Sequence, residues 1–149
     1  MAKIVIQITK NFDGLDVSLP GLKELVKAVC NRFKLAKATV SIALTDDAQI
    51  RKLNKQYLNH NCSTDCLSFD LSDDTDSAKT FDLAVNAEMA IKEAELRGLP
   101  SEAELALYIT HGLLHDLGFD DSKPQNAKKM HDTENEILQQ LGYGSIYSS

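Results

Sequence analysis

The sequence predicts an α+β (α/β) fold: a single mixed four-stranded sheet packed with about five helices. Three observations carry that expectation. Four segments, 3–10, 38–45, 64–71 and 80–86, alternate apolar with polar residues or collect β-branched and aromatic ones, as half-buried strands do. Between and after them, apolar residues recur at helical spacing. The resulting order is strand, helix, strand, helix, two strands, then three helices. One domain spanning residues 1–149 can close such a chain around one core, with no repeat, linker or low-complexity stretch to divide it.

The elements follow in order. KIVIQITK, residues 3–10, alternates with period two. Ser18-Leu19-Pro20 opens a helix with proline in its first turn, and Leu22, Leu25, Val26, Val29 and Phe33 share one face. ATVSIALT, residues 38–45, is the second strand. Asp46 or Asp47 caps the next helix, which carries Ile50, Leu53 and Tyr57, and residues 58–63 form a loop. Residues 64–71 and 80–86 make a hairpin across the polar turn 72–77. A helix from Glu88 to about Arg97 is stopped by Gly98 and Pro100. Ser101-Glu102-Ala103-Glu104 has the form of a capping box and starts a helix through Ala106, Ile109, Leu113 and Leu114, with Gly118 at its C-terminal cap. A last helix runs from about Pro124 to Leu141, with Met130, Ile137, Leu138 and Leu141 inward.

Composition excludes several classes. No apolar run approaches the roughly 20 residues that span a bilayer. The N-terminal segment reads as a strand, without the basic and long apolar regions of a signal peptide, so the expected location is the cytoplasm and no membrane partner is expected. Cys30, Cys62 and Cys66 are odd in number, and Cys62 and Cys66 form a lone C-x3-C without a second pair, so neither a disulfide framework nor a cysteine metal site is expected. Twenty-two acidic residues against 16 basic ones, a net charge of −6, argue against tight sequence-blind nucleic-acid binding, which needs clustered Lys and Arg. A local basic groove is compatible with that balance.

The informative segment is His111-Gly-Leu-Leu-His115-Asp-Leu-Gly118-Phe-Asp120-Asp121. Two histidines four apart on a helix project from one face, one turn apart. Such pairs also arise by chance, but here Leu113, Leu114, Leu117 and Phe119 imply a largely buried helix, where polar side chains need a reason to be present. Gly118 lets the chain reverse and return the Asp120–Asp121 segment toward the same point. The resulting H-x3-H-x5-D pattern offers three ligands and leaves a fourth position open, the arrangement of a catalytic zinc site, with one ion per chain expected. This is a zincin-like metal helix that lacks the glutamate of the protease pattern H-E-x-x-H, because position 112 is glycine. Asp116, about 100° round the helix from His115, reads as a solvent-facing side chain at the helix end.

HGLLHDLGFDD, taken with LNKQYLNHN and TDCLSFD, resembles the YbeY family of bacterial metal-dependent endoribonucleases, whose usual patterns are H-G-x-L-H-L-x-G-Y-D-H and T-D-V-L-S-F. FDLAVNAEMA, and Met130 followed by Glu134 and Ile137-Leu138, extend the likeness over about residues 40–140. The resemblance implies a mixed sheet with surrounding helices, a zinc site, and cleavage of single-stranded RNA in ribosomal RNA maturation and ribosome quality control. Its implied partners are ribosomal RNA and the small ribosomal subunit. His111 and His115 match the first two metal ligands and are expected to be catalytic. Asp121 falls where the family usually has a third histidine; spacing alone does not rank it against Asp120. A carboxylate there keeps the site competent, makes the metal a weaker Lewis acid and shifts its preference toward harder ions.

A second departure concerns phosphate. Many family members carry an arginine directly after the aromatic of LNxxY, where this chain has Leu58. His60, when protonated, is the expected catalytic substitute, with Arg51 and Lys55 as alternatives on the preceding helix. Thr64, Asp65 and Ser68 are expected to hold loop and strand through local hydrogen bonds, Asp65 alternatively orienting a ligand histidine. His131 reads as a surface residue, and Tyr143 and Tyr147 as packing or tail. The leading expectation is a metal-dependent hydrolase of RNA, in which water or a ribose 2′-hydroxyl attacks phosphorus. A metallohydrolase of peptides and a ribosome-associated factor with a structural metal are the competing classes.

Overall fold

The computed structural model describes residues 3–15, 17–73 and 77–143. Its elements run β1 (Lys3–Lys10), α1 (Leu19–Arg32), β2 (Lys37–Thr45), α2 (Asp47–Leu58), β3 (Cys66–Asp70), β4 (Lys79–Asn86), α3 (Ala87–Arg97), α4 (Ser101–Asp116) and α5 (Pro124–Gln140). The four strands form one mixed sheet in the order β1-β2-β4-β3, with β1, β2 and β4 parallel and β3 antiparallel to β4. The expected fold class is therefore present. Among the described residues no helix is long and apolar enough to cross a membrane.

Strand alternation places the core. Ala38, Val40, Ile42 and Leu44 of β2 and Phe81, Leu83 and Val85 of β4 are buried on the face covered by α1 and α4. A smaller cluster of Ile50, Leu67 and Ala84 lies under α2 on the opposite face. In α1, Leu22, Leu25, Val26, Val29 and Cys30 are buried, while Phe33 serves as the C-cap and packs edge-on against Phe119, ring centroids 5.6 Å apart. The Ser18 hydroxyl accepts the Gly21 N–H at 3.1 Å.

Several boundaries move for local reasons. Asp46 is the N-cap of α2 and accepts the Gln49 N–H at 2.8 Å. Asp47, the first helical residue, accepts bonds from Ser63 Oγ, from Asn86 Nδ2 at 2.9 Å and from Arg51 Nε at 2.8 Å. These donors hold its carboxyl down at about 2, the Ser63 hydroxyl first. Strand β3 begins at Cys66 rather than residue 64, because the Thr64 and Asp65 carbonyls are taken by the side-chain and backbone N–H groups of Asn86. The expected capping box is not formed. Pro100 is the N-cap of α4 and has no side-chain cap. Glu102 instead accepts the Ser18 N–H at 2.7 Å and the Tyr143 hydroxyl at 3.2 Å, while buried Glu104 pairs with Arg97 at 2.7 Å. Tertiary partners outbid the local cap for both carboxylates. Tyr143 thus packs on α4; Tyr147, like residues 74–76 of the polar turn, lies outside the described residues.

Candidate metal centre

Helix α4 is enclosed by β3, β4, α1, α3 and α5, and nearly every residue from Ala103 to Leu114 is buried. Polar side chains on such a helix reach solvent only toward its end. His111 and His115 lie there, with side chains 18% and 33% exposed. The helix then stops as Gly118 takes φ +102, and the Phe119 N–H closes back onto the Leu114 carbonyl at 2.9 Å. That reversal brings Asp121 to the histidines.

Three donor atoms converge. His111 Nε2 and His115 Nε2 are 3.1 Å apart, and Asp121 Oδ2 lies 4.0 Å from the first and 3.8 Å from the second. Two ligands each about 2.0–2.1 Å from a tetrahedral zinc stand roughly 3.4 Å apart, so small side-chain adjustments would bring all three onto one ion. Among the described residues this is the group of His, Cys, Asp and Glu side chains that could hold a metal ion.

The other ring nitrogens sharpen that reading. His115 Nδ1 lies 3.1 Å from the Phe119 carbonyl oxygen, which can only accept, so Nδ1 carries the proton. His111 Nδ1 lies 2.8 Å from Glu134 Oε2 and donates to that carboxylate. Both Nε2 atoms therefore turn lone pairs toward each other and toward Asp121. Only a cation, proton or metal, can sit among three such donors without repulsion. Burial alone would lower the His111 pKa, but the hydrogen bond and charge of Glu134, with Asp65 and Asp121, outweigh it and raise it.

Glu134 is the residue that sequence pattern alone did not assign. It is fully buried, and its second oxygen, Oε1, has no hydrogen-bond partner among the described residues. The signal was present: Met130, Glu134, Ile137 and Leu138 occupy one face of α5, so a carboxylate stands at an inward position. Asp65 accepts the Thr64 hydroxyl at 3.3 Å, a local bond of the kind expected of it; in its alternative role, orienting a histidine, it bonds neither ring and acts on His111 through its charge. Asp120 is a turn residue. Its two oxygens accept the Ser122 N–H at 2.9 Å and the Ser122 hydroxyl at 2.8 Å.

The remaining candidates are spread out. His60 is exposed on the loop after α2, just past Asn59 with its left-handed φ of 58°, and its N–H reaches the Asn54 carbonyl at 3.3 Å. Arg51 is committed to Asp47, Lys55 is exposed on α2, and Leu58 is 49% exposed. Cys62 is exposed, whereas Cys66 lies against α4, so the C-x3-C pair has no shared environment. His131 is half-buried on α5 rather than a surface residue, because α5 packs against α4. Asp116 departs from its expected solvent position. The last turn of α4 packs on β3, so Asp116 meets Ser68, and its Oδ2 is enclosed without a hydrogen bond among the described residues. Burial pushes its carboxyl up to about 7, with the Asp70 charge adding to the effect.

Gly112 has a packing reason. A Cβ there would stand 2.7 Å from Cys66 Sγ and 3.0 Å from Leu83 Cδ2. Position 112 therefore faces the sheet, and a glutamate in the protease position would be driven into β3 and β4. Gly112→Ala is expected to destabilise the chain by about 1–2 kcal/mol, an overpacking cost of about 1–3 kcal/mol partly offset by better helix propensity. In a Cys66→Ala background the cost should shrink, because the closest clashing atom is gone. Equal costs in both backgrounds, measured by denaturant unfolding, would rule out this contact as the cause.

Comparison with known proteins is consistent with this geometry. The family model "Endoribonuclease YbeY" matches residues 7–142. A relative from Carboxydothermus hydrogenoformans named Endoribonuclease YbeY is 34% identical over 91% of this chain and 96% of its own length. One of the same name from Sulfurihydrogenibium sp. is 31% identical over 91% of both chains. One from Myxococcus xanthus is 34% identical over 78% of this chain, which spans 41% of that longer relative. Among solved structures, TM1509 from Thermotoga maritima superposes with a TM-score of 0.62 at 21% identity, covering 92% of this chain and 89% of that one, a likeness of fold.

Proposed function

This chain belongs to the endoribonuclease YbeY family, whose members are nucleases of the hydrolase class, and from that premise we propose that it is a zinc-dependent endoribonuclease specific for single-stranded RNA. Its substrate would be ribosomal RNA, cut in the cytoplasm during maturation and quality control of the small ribosomal subunit. The observation that carries the metal is the convergence of His111, His115 and Asp121 with both Nδ1 atoms already committed elsewhere.

Zinc held there supplies Lewis acidity, polarising a phosphoryl oxygen or making water more acidic. The chain's own residues do the rest. Glu134 and the Phe119 carbonyl fix both ring orientations, so His111 and His115 present Nε2 without further ordering. Asp121 adds a negative charge that tempers the metal's acidity. His60, exposed on the loop after α2, is the candidate to face a substrate phosphate when protonated. The packing at Gly112 counts against a peptide hydrolase of the zincin type, which needs a glutamate there. A ribosome-associated factor with a structural metal is the second reading, favoured by exposed Leu58 where a cation would stand.

The test is metal analysis and cleavage of a labelled single-stranded RNA, run on the parent and on Asp121→Ala. Expected are about one zinc per parent chain, cleavage abolished by chelation, and loss of both in the variant. Metal in the parent without chelator-sensitive cleavage would leave the structural-metal reading. No bound transition metal after zinc is offered would sink the site itself.

A further inference from the structure

The reading as an RNA nuclease leaves one chemical need unmet, a permanent positive charge for the substrate backbone near the metal site. Leu58 does not supply it, and the net charge of the chain is −6. Among the described residues, six of the 16 cations are held in ion pairs. Arg51 is held by Asp47, Arg32 by Glu136, Lys128 by Asp132, Lys27 by Glu24 and Lys92 by Glu88. Arg97 lines a cavity, but buried Glu104 neutralises it and Asp65 and Glu93 share the same walls. A phosphate would be repelled there.

Lys129 stands outside these pairs and also lines a cavity. It makes no ion pair among the described residues. Its ammonium stands 5.9 Å from the centre of the Phe119 ring, a cation–π contact that steadies the side chain and leaves its N–H donors free. It lines a cavity of about 250 Å³ with Leu117, Gly118, Phe119, Asp120 and Asn126. The one carboxylate in that wall, Asp120, has both oxygens occupied by Ser122. The loop that lines this cavity also supports the metal site, because the Phe119 carbonyl orients His115 and the chain continues into Asp121.

Resting on the reading as a single-strand RNA nuclease, we propose that Lys129 holds the RNA phosphate next to the scissile one, in the cavity between the 117–120 loop and α5. It is a substrate-binding residue. The metal-site donors engage one phosphate, and Lys129 fixes the direction in which the strand leaves by holding the neighbour.

The experiment is a salt titration of affinity for a single-stranded RNA oligonucleotide, on the zinc-loaded parent, Lys129→Ala, Lys129→Arg and Lys128→Ala, with zinc content and cleavage kinetics measured on the same samples. Lys128→Ala removes an equal charge one residue away from a lysine that is already paired. Lys129→Ala should weaken binding about 5–10-fold at low salt and flatten the logarithmic salt slope by about 0.7, the contribution of one single-strand phosphate contact. KM should rise with kcat nearly unchanged, Lys129→Arg should restore most of the affinity, and zinc content should not move. Equal slopes for Lys129→Ala and Lys128→Ala, with the parent cleaving RNA, would overturn the role of Lys129 and leave the nuclease reading standing. A parent that binds the strand with the Lys129-dependent slope but never cuts it would support Lys129 and sink the nuclease reading. A parent that does not bind the strand overturns both.

Discussion

Replacing His115 with alanine is expected to empty the metal site and lower RNA cleavage by more than about 100-fold, since even changes to groups that merely support metal ligands cost about 10–100-fold. The reason is geometric. Three protein donors converge at this point, and loss of His115 Nε2 leaves His111 Nε2 and Asp121 Oδ2 separated by 4.0 Å with water to fill two positions. The variant should still fold, because the His115 side chain is 33% exposed and, among the described residues, its hydrogen bond outside the metal site is the one to the Phe119 carbonyl. Thermal unfolding separates the two effects. Zinc added to the parent should raise its Tm, since a ligand at about 100 times its Kd adds about 2.7 kcal/mol. The same addition should leave His115→Ala unchanged. A variant that keeps both its zinc and its cleavage would remove His115 from the site.

The second large effect belongs to Glu134. Glu134→Gln keeps the size of the side chain and can still accept the His111 Nδ1–H, but it removes the negative charge that makes the ring a better donor to metal. Metal affinity should fall about 10–100-fold. The metal-free protein should behave in the opposite sense. Glu134 is fully buried, with Oε2 on His111 and Oε1 unpartnered, and a buried carboxylate with one partner is costly. Metal-free Glu134→Gln should therefore be at least as stable as the metal-free parent, while gaining less from zinc. Glu134→Ala should lose on both counts, because it also opens a cavity under α5. Competition against a chelator and unfolding with and without zinc give the two readouts. A Glu134→Gln chain with parental affinity would show that the buried carboxylate supports the fold and not the metal.

The chain by itself determined a good deal. The period of its apolar residues set the class and order of elements, because burial of one face is a local repeat that any reader of the pattern can count. Pro20, Gly98 and Gly118 set ends of helices through backbone geometry that no distant contact can override. The i, i+4 spacing of His111 and His115 on an apolar helix set two donors on one face. What only the tertiary structure decided is which carboxylates go where. Glu102 and Glu104 look like capping residues locally, yet Ser18, Tyr143 and Arg97, far away in the chain, claim them. Asp120 and Asp121 are equivalent in spacing, and the bonds from Ser122 turn one into a turn residue while the other faces the histidines. Glu134 orients His111 across 23 residues, and Asp116 is enclosed against Ser68 rather than solvated. Hydrophobic periodicity is written in neighbouring residues, so it is legible one segment at a time. A carboxylate's partner is selected by charge and hydrogen bonding at distances that exist only after the segments have packed.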